Sequence, residues 1–120
     1  MTSVKVLVVD DDPRVRATAV SMLRRMGCKV LDAYSGPKAL EVLEAHPEIE
    51  VLFADVRMPG MSGPELADEA RRLRPDLNIV LTSGYVGKEQ VPEDIPFVPK
   101  PWRMETLAVV VESGCQGRPA

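Results

Sequence analysis

Short apolar runs alternate with helix-period stretches along almost the whole chain. Residues 4–9 (VKVLVV) are a nearly unbroken β-branched run, the pattern of a strand buried on both faces. Val15, Ala19, Met22, Leu23 and Met26 then recur at helical spacing, which predicts an amphipathic helix with Gly27 just past its end. Residues 29–33 read as a more polar edge strand. Ser35-Gly36-Pro37 opens a second helix that turns Ala39, Leu40 and Leu43 inward and stops at Pro47. Residues 51–54 predict a third strand, and Ser62-Gly63-Pro64-Glu65 has the form of a capping box. The helix behind it faces inward with Leu66, Ala70 and Leu73 and ends at Pro75. Residues 78–81 and 97–98 predict two further strands. Met104, Leu107, Ala108 and Val111 mark a last helix. Residues 116–120 read as a flexible tail, which leaves 1–115 as the folded unit.

Strict alternation of short strands with helices predicts an α/β domain, a parallel sheet covered on both faces. In such sheets chemistry collects beyond the C-terminal strand ends. Four polar patches fall there: Asp10-Asp11-Asp12, Asp55, Thr82-Ser83 and Lys100-Pro101. Together they carry the groups of a site that binds a small hard cation and transfers a phosphoryl group.

Composition narrows the picture. A chain of 120 residues is one domain, and 45% hydrophobic with 28% charged residues is an ordinary globular balance. The formal net charge of −3 offers no footprint for nucleic acid. No apolar run approaches the roughly 20 residues of a membrane span, and no secretory leader is expected. Cys28 and Cys115 lack metal-ligand spacing and read as reduced thiols, so a cytoplasmic location is expected. His46, the sole histidine, falls near a helix end and reads as solvated.

The acidic residues divide by position. Asp12 precedes Pro13 and is placed to cap the first helix. Asp10, Asp11 and Asp55 are left at the strand ends, where three carboxylates repel unless a cation joins them. Oxygen-only ligands suit Mg²⁺, or Mn²⁺ in its place, rather than zinc. Lys100, held between Pro99 and Pro101, reaches across the same edge as a movable charge. Thr82 supplies a hydroxyl that either donates to a phosphoryl oxygen or satisfies local backbone.

The motifs VVDDDP (8–13), DVRMPGMSG (55–63), LTSGY (81–85) and FVPKPW (97–102), in this order, resemble those of response-regulator receiver domains. The resemblance runs from Val4 to about Val111. It implies a flavodoxin-like, doubly wound sheet of five parallel strands in the order 2-1-3-4-5. The first and last helices would then lie on one face. By the same resemblance Asp55 is the phosphoacceptor, and Asp10 and Asp11 hold Mg²⁺ together with Asp55 and the Arg57 carbonyl. Thr82 follows the phosphoryl group, Lys100 is the site lysine, and Phe97 occupies the switch-aromatic position. The donor would be a sensor histidine kinase or a histidine phosphotransfer domain, and the readout an output protein met by a monomer or weak dimer. The chain would catalyse only its own phosphorylation and dephosphorylation.

Departures from the family pattern are local. The stretch between Thr82 and Lys100 holds Gly84, Gly87, Pro92, Pro96 and Pro99, so a fourth helix around 86–91 is expected to be short or absent. Phe97 lacks a hydroxyl, and Tyr85 is the alternative switch aromatic. Arg57 and Gly84 occupy positions that tune phosphoryl lifetime in the family. Arg71, Arg72 and Arg74 read as a solvated complement to a helix C-terminus. Trp102 either packs at the domain edge or marks a partner surface. Two rival functions are a Mg²⁺-dependent phosphate-ester hydrolase with Asp55 as nucleophile and a pseudo-receiver that only binds. The hydrolase reading lacks a second acid two residues beyond Asp55, where Arg57 stands. The receiver portion of a hybrid kinase has the same sequence features as a stand-alone switch.

Overall fold

The computed structural model describes residues 3–84 and 91–116, with side chains as far as Gly114. Its elements are β1 (Lys5–Val9), α1 (Pro13–Arg25), β2 (Lys29–Ala33), α2 (Gly36–Ala45), β3 (Val51–Asp55), α3 (Gly63–Leu73), β4 (Asn78–Ser83), β5 (Phe97–Pro99) and α4 (Met104–Gln116). The five strands are all parallel in the order β2-β1-β3-β4-β5, as the family resemblance implied. The expected short fourth helix falls on residues 86–91, of which 86–90 lie outside the described residues, as does Tyr85.

Side-chain alternation along the strands builds two cores. Leu7, Val9, Leu52, Ala54, Ile79 and Leu81 point to one face, under Ala39 and Leu43 of α2 and Leu66, Ala67 and Ala70 of α3. Val6, Val8, Val51, Phe53, Val80 and Val98 point to the other, under Ala19 and Leu23 of α1 and Leu107 and Val110 of α4. The sheet is therefore covered on both sides, with α1 and α4 sharing a face.

Helix ends follow the local chemistry that marks them. Asp12 caps α1 by accepting the Arg14 and Val15 N–H groups, and Gly27 takes a φ of +93° just past its end. Ser35 caps α2, and Ser62 with Glu65 closes a reciprocal capping box at α3.

The inward stripe of α3 differs from expectation, and the residues that mark α4 are not all buried. Leu73 is 45% exposed in the last turn of α3, and the loop residue Leu77 supplies the buried apolar group beyond that helix. Met104 is 42% exposed, because α4 begins there and its buried line runs through Leu107, Val110 and Gly114. The arginines at the end of α3 are also more structural than a solvated cluster. Arg71 bonds Asp94 Oδ2 at 2.9 Å, and Arg74 Nη2 donates to the Ile49 carbonyl at 2.7 Å.

Candidate functional site

Parallel pairing puts the ends of β1, β3, β4 and β5 at one edge of the sheet. Asp55 closes β3 and stands in register with Thr82 on β4, while Val9, the last residue of β1, pairs with Ala54. Asp10 and Asp11 follow β1 directly. One carboxylate oxygen from each of Asp10, Asp11 and Asp55 can be chosen so that all three lie within 4.8 Å of one another. Asp10 is 2% exposed and Asp55 8%, whereas Asp11 is open to solvent. An all-oxygen set with one exposed member is the donor chemistry of a hard divalent cation that keeps part of its water shell.

Asp10 is held from several directions. Its Oδ1 accepts the Asp12 N–H at 2.9 Å, and its carbonyl accepts Arg16 Nη1 at 2.8 Å. Arg16 is in turn fixed by Asp32, whose Oδ2 lies 2.9 Å from Nε. Asp55 Oδ1 receives the Arg57 backbone N–H at 3.4 Å. The exposed Arg57 borders an open cleft of about 610 Å³ with Val56, Met58, Pro59, Ser62 and Pro64.

Lys100 joins the carboxylates. Its ammonium lies 3.2 Å from Asp10 Oδ2 and 3.1 Å from Asp55 Oδ2, and its backbone N–H bonds the Ser83 carbonyl at 3.0 Å. Burial pulls the lysine pKa down, but the Asp55 and Asp10 carboxylates outweigh it and the net shift is upward. At Asp55 burial raises the carboxyl pKa most, Asp10 adds to it, and Lys100 offsets only part. Three carboxylates thus share one lysine, an excess of formal negative charge at this edge.

Thr82 is 2% exposed, and its Oγ1 accepts the indole N–H of Trp102 at 2.8 Å. The Trp102 ring is tilted 54° against Phe53 with centroids 5.6 Å apart, and Lys100 Nζ sits 5.5 Å from its centre. Trp102 is half-buried and packs against the core under α1 and α4. The bond to Thr82 had no sequence signal beyond the nearness of Trp102 to Lys100, because it depends on how the chain turns after Pro101. Phe97 packs against the core under α2 and α3. Asp12 is turned away into the α1 cap, and His46 pairs with Glu48 near the end of α2. Among the described residues no helix is long and apolar enough to cross a membrane.

Comparison with known proteins agrees with this geometry. The family model described as "Response regulator receiver domain" matches residues 6–112. The chain is 37% identical over 116 residues to the sensor kinase CckA of Brucella abortus, covering 92% of this chain but 12% of that protein. It is 30% identical to the response regulator receiver protein CpdR of the same organism, covering 90% of this chain and 93% of that one. It spans 31% of a cyclic di-GMP phosphodiesterase from Thermotoga maritima to which it is 29% identical. Among solved structures, the receiver domain from the hybrid histidine kinase CckA superposes with a TM-score of 0.77 at 35% identity, over 92% of this chain and 97% of that one. A receiver domain protein from Clostridium thermocellum shares the fold with a TM-score of 0.87 at 22% identity, over 94% of each chain. The chain belongs to the response regulator receiver domain family, the phosphoacceptor switches of two-component signalling.

Proposed function

We propose that Asp55 accepts the phosphoryl group, from a phosphohistidine on a sensor kinase or a histidine phosphotransfer domain. The observation that carries this reading is the convergence of Asp10, Asp11 and Asp55 on one point, with Lys100 bonded to two of them. A carboxylate oxygen of Asp55 attacks phosphorus, the P–N bond of the phosphohistidine breaks, and its electron pair stays with the imidazole. Water later cleaves the new acyl phosphate to carboxylate and free phosphate, which resets the switch. The chain in this reading catalyses only these two events on itself.

Asp10, Asp11, Asp55 and the carbonyl of Arg57 would hold Mg²⁺, with Mn²⁺ as a substitute. When bound, that cation supplies positive charge to the phosphoryl oxygens and joins Lys100 in balancing the three carboxylates. Lys100 is placed to leave the Asp55 oxygen it now bonds and to follow the incoming charge. Thr82, beside Asp55 on the neighbouring strand, offers a hydroxyl to a phosphoryl oxygen. The added charge then biases the loops at this edge, and an output protein reads the change. A cytoplasmic location fits such a kinase-coupled role.

Incubation with acetyl phosphate and Mg²⁺, followed by intact-mass measurement, tests the assignment. The wild type is expected to gain one acid-labile phosphoryl group and Asp55→Asn none. Equal labelling of the two proteins would overturn Asp55 as acceptor.

A further inference from the structure

The chain has a single tryptophan, and it is built into the edge of the site. A hydroxyl carries one proton and two lone pairs, whereas an indole N–H is a donor only. Trp102 Nε1 therefore fills a lone pair of Thr82 Oγ1, at 2.8 Å, and cannot take the hydroxyl's own proton. Among the described residues this is the one hydrogen bond of Thr82 Oγ1. The proton is left for an acceptor elsewhere, and Thr82 is the register partner of Asp55. Phe53 braces the indole ring, and Lys100 Nζ lies within 6 Å of its centre while bonding Asp10 and Asp55. Trp102 thus bonds the strand neighbour of Asp55 and lies beside the lysine that bonds Asp55 itself. Packing against Phe53 alone would be served by any aromatic ring and would need no N–H.

We propose that Trp102 is a positioning residue: its indole N–H orients the Thr82 hydroxyl toward a phosphoryl oxygen on Asp55, and its surroundings change when that group arrives. The proposal rests on Asp55 being the acceptor. A phosphoryl group on Asp55 draws both Thr82 and Lys100 toward new negative charge, so the hydrogen bond and the cation beside the ring are perturbed together. No catalytic contact is assigned to the indole itself, which acts through Thr82.

Two measurements test this. In the first, labelling by acetyl phosphate with Mg²⁺ is timed by mass for wild type, Trp102→Phe, Thr82→Val and the double variant. Trp102→Phe keeps the ring and loses the donor; it should lower the maximal rate about fivefold while the half-saturating donor concentration stays within about twofold. The double variant should be no slower than Thr82→Val, because the indole has nothing left to orient. Additive losses, or a Trp102→Phe protein as fast as wild type, would overturn the proposal. The second measurement needs no change at Trp102, so it stands even where Trp102→Phe does not fold. The single indole N–H resonance in a ¹H–¹⁵N spectrum should shift on labelling of wild type. In Asp55→Asn it should not respond to the donor, and in Thr82→Val it should start at the position of an indole lacking this bond. An unmoved indole in a fully labelled wild type would refute the positioning role and leave the acceptor reading intact. Absence of any label on wild type would instead remove the acceptor reading, and the positioning role with it.

Discussion

Lys100 Nζ lies 3.1 Å from Asp55 Oδ2, yet the Asp55 carboxyl titrates above its ordinary value. A simple ion pair would move the acid down and the base up. Here both move up. Burial is the largest cause at Asp55, and the Asp10 carboxylate adds to it, while one ammonium is shared between the two acids. Three converging carboxylates against one ammonium leave an excess of formal negative charge, which suits a cation.

That imbalance sets a pH dependence. With its pKa raised, Asp55 keeps a proton in the folded state at a pH where the unfolded chain has already lost it. Folding stability from this group therefore falls as pH rises from its ordinary value of 3.8 through its raised folded value. Lys100 acts much higher: its contribution is fully present below its ordinary value of 10.5 and is lost as pH rises through the folded value. Urea unfolding without divalent cations, from about pH 3 to about pH 8, checks the first window. Wild type should lose stability relative to Asp55→Asn as pH rises through it. A constant difference between the two proteins would contradict the raised carboxyl.

Cation binding should reverse part of this penalty. At neutral pH, Mg²⁺ at about a hundred times its dissociation constant is expected to stabilise the wild type by about 2.7 kcal/mol. Asp11 is exposed and its carboxylate belongs to the converging set, so Asp11→Asn should fold normally while losing most of that gain. Thermal unfolding with and without Mg²⁺ measures both effects. An Asp11→Asn protein stabilised as strongly as wild type would exclude Asp11 as a ligand.

Gly63 limits how far the end of β3 can shift. A Cβ at this first residue of α3 would collide with the Asp55 carbonyl oxygen and stand 2.9 Å from Val56 Cα and 3.0 Å from the Asp55 carbonyl carbon. The obstacle is backbone, which cannot rotate away as a side chain would. Gly63→Ala should cost about 3 kcal/mol in denaturant unfolding. It should also slow labelling by acetyl phosphate, because the carboxylate is displaced relative to Lys100. A variant as stable as wild type would show that α3 can withdraw from β3 at no cost.

Most of the fold was legible because its signals are local. Runs such as residues 4–9 and 51–54 announce buried strands, and Ser35, Ser62, Pro13 and Gly27 punctuate the helices where the structure starts and stops them. The polar residues at the strand ends were placed for the same reason, since a residue closing an apolar strand is positioned by the strand itself. What escaped depends on contacts between distant segments. Leu73 and Met104 fit helical periodicity but lie at helix ends, where periodicity does not decide what covers them. The pairs Arg71–Asp94 and Trp102–Thr82 join segments whose approach is set by the folded chain, and no spacing rule encodes either.

The neighbouring aspartates provide a final separation of roles. Asp12 Oδ1 accepts the Arg14 N–H at 2.9 Å and the Val15 N–H at 3.5 Å, so its carboxylate is committed to the start of α1. Its backbone N–H still supports Asp10, and that bond does not depend on its side chain. Asp12→Ala should therefore cost about 1 kcal/mol of folding stability through loss of the cap. Asp12→Asn, which keeps a capping oxygen, should cost much less. Neither change should alter the Mg²⁺ dissociation constant by more than about twofold, since only a screened charge near the site is removed. Mg²⁺ titration beside urea unfolding reads the two effects separately. A large loss of Mg²⁺ affinity in Asp12→Asn would move Asp12 from the helix cap into the cation site.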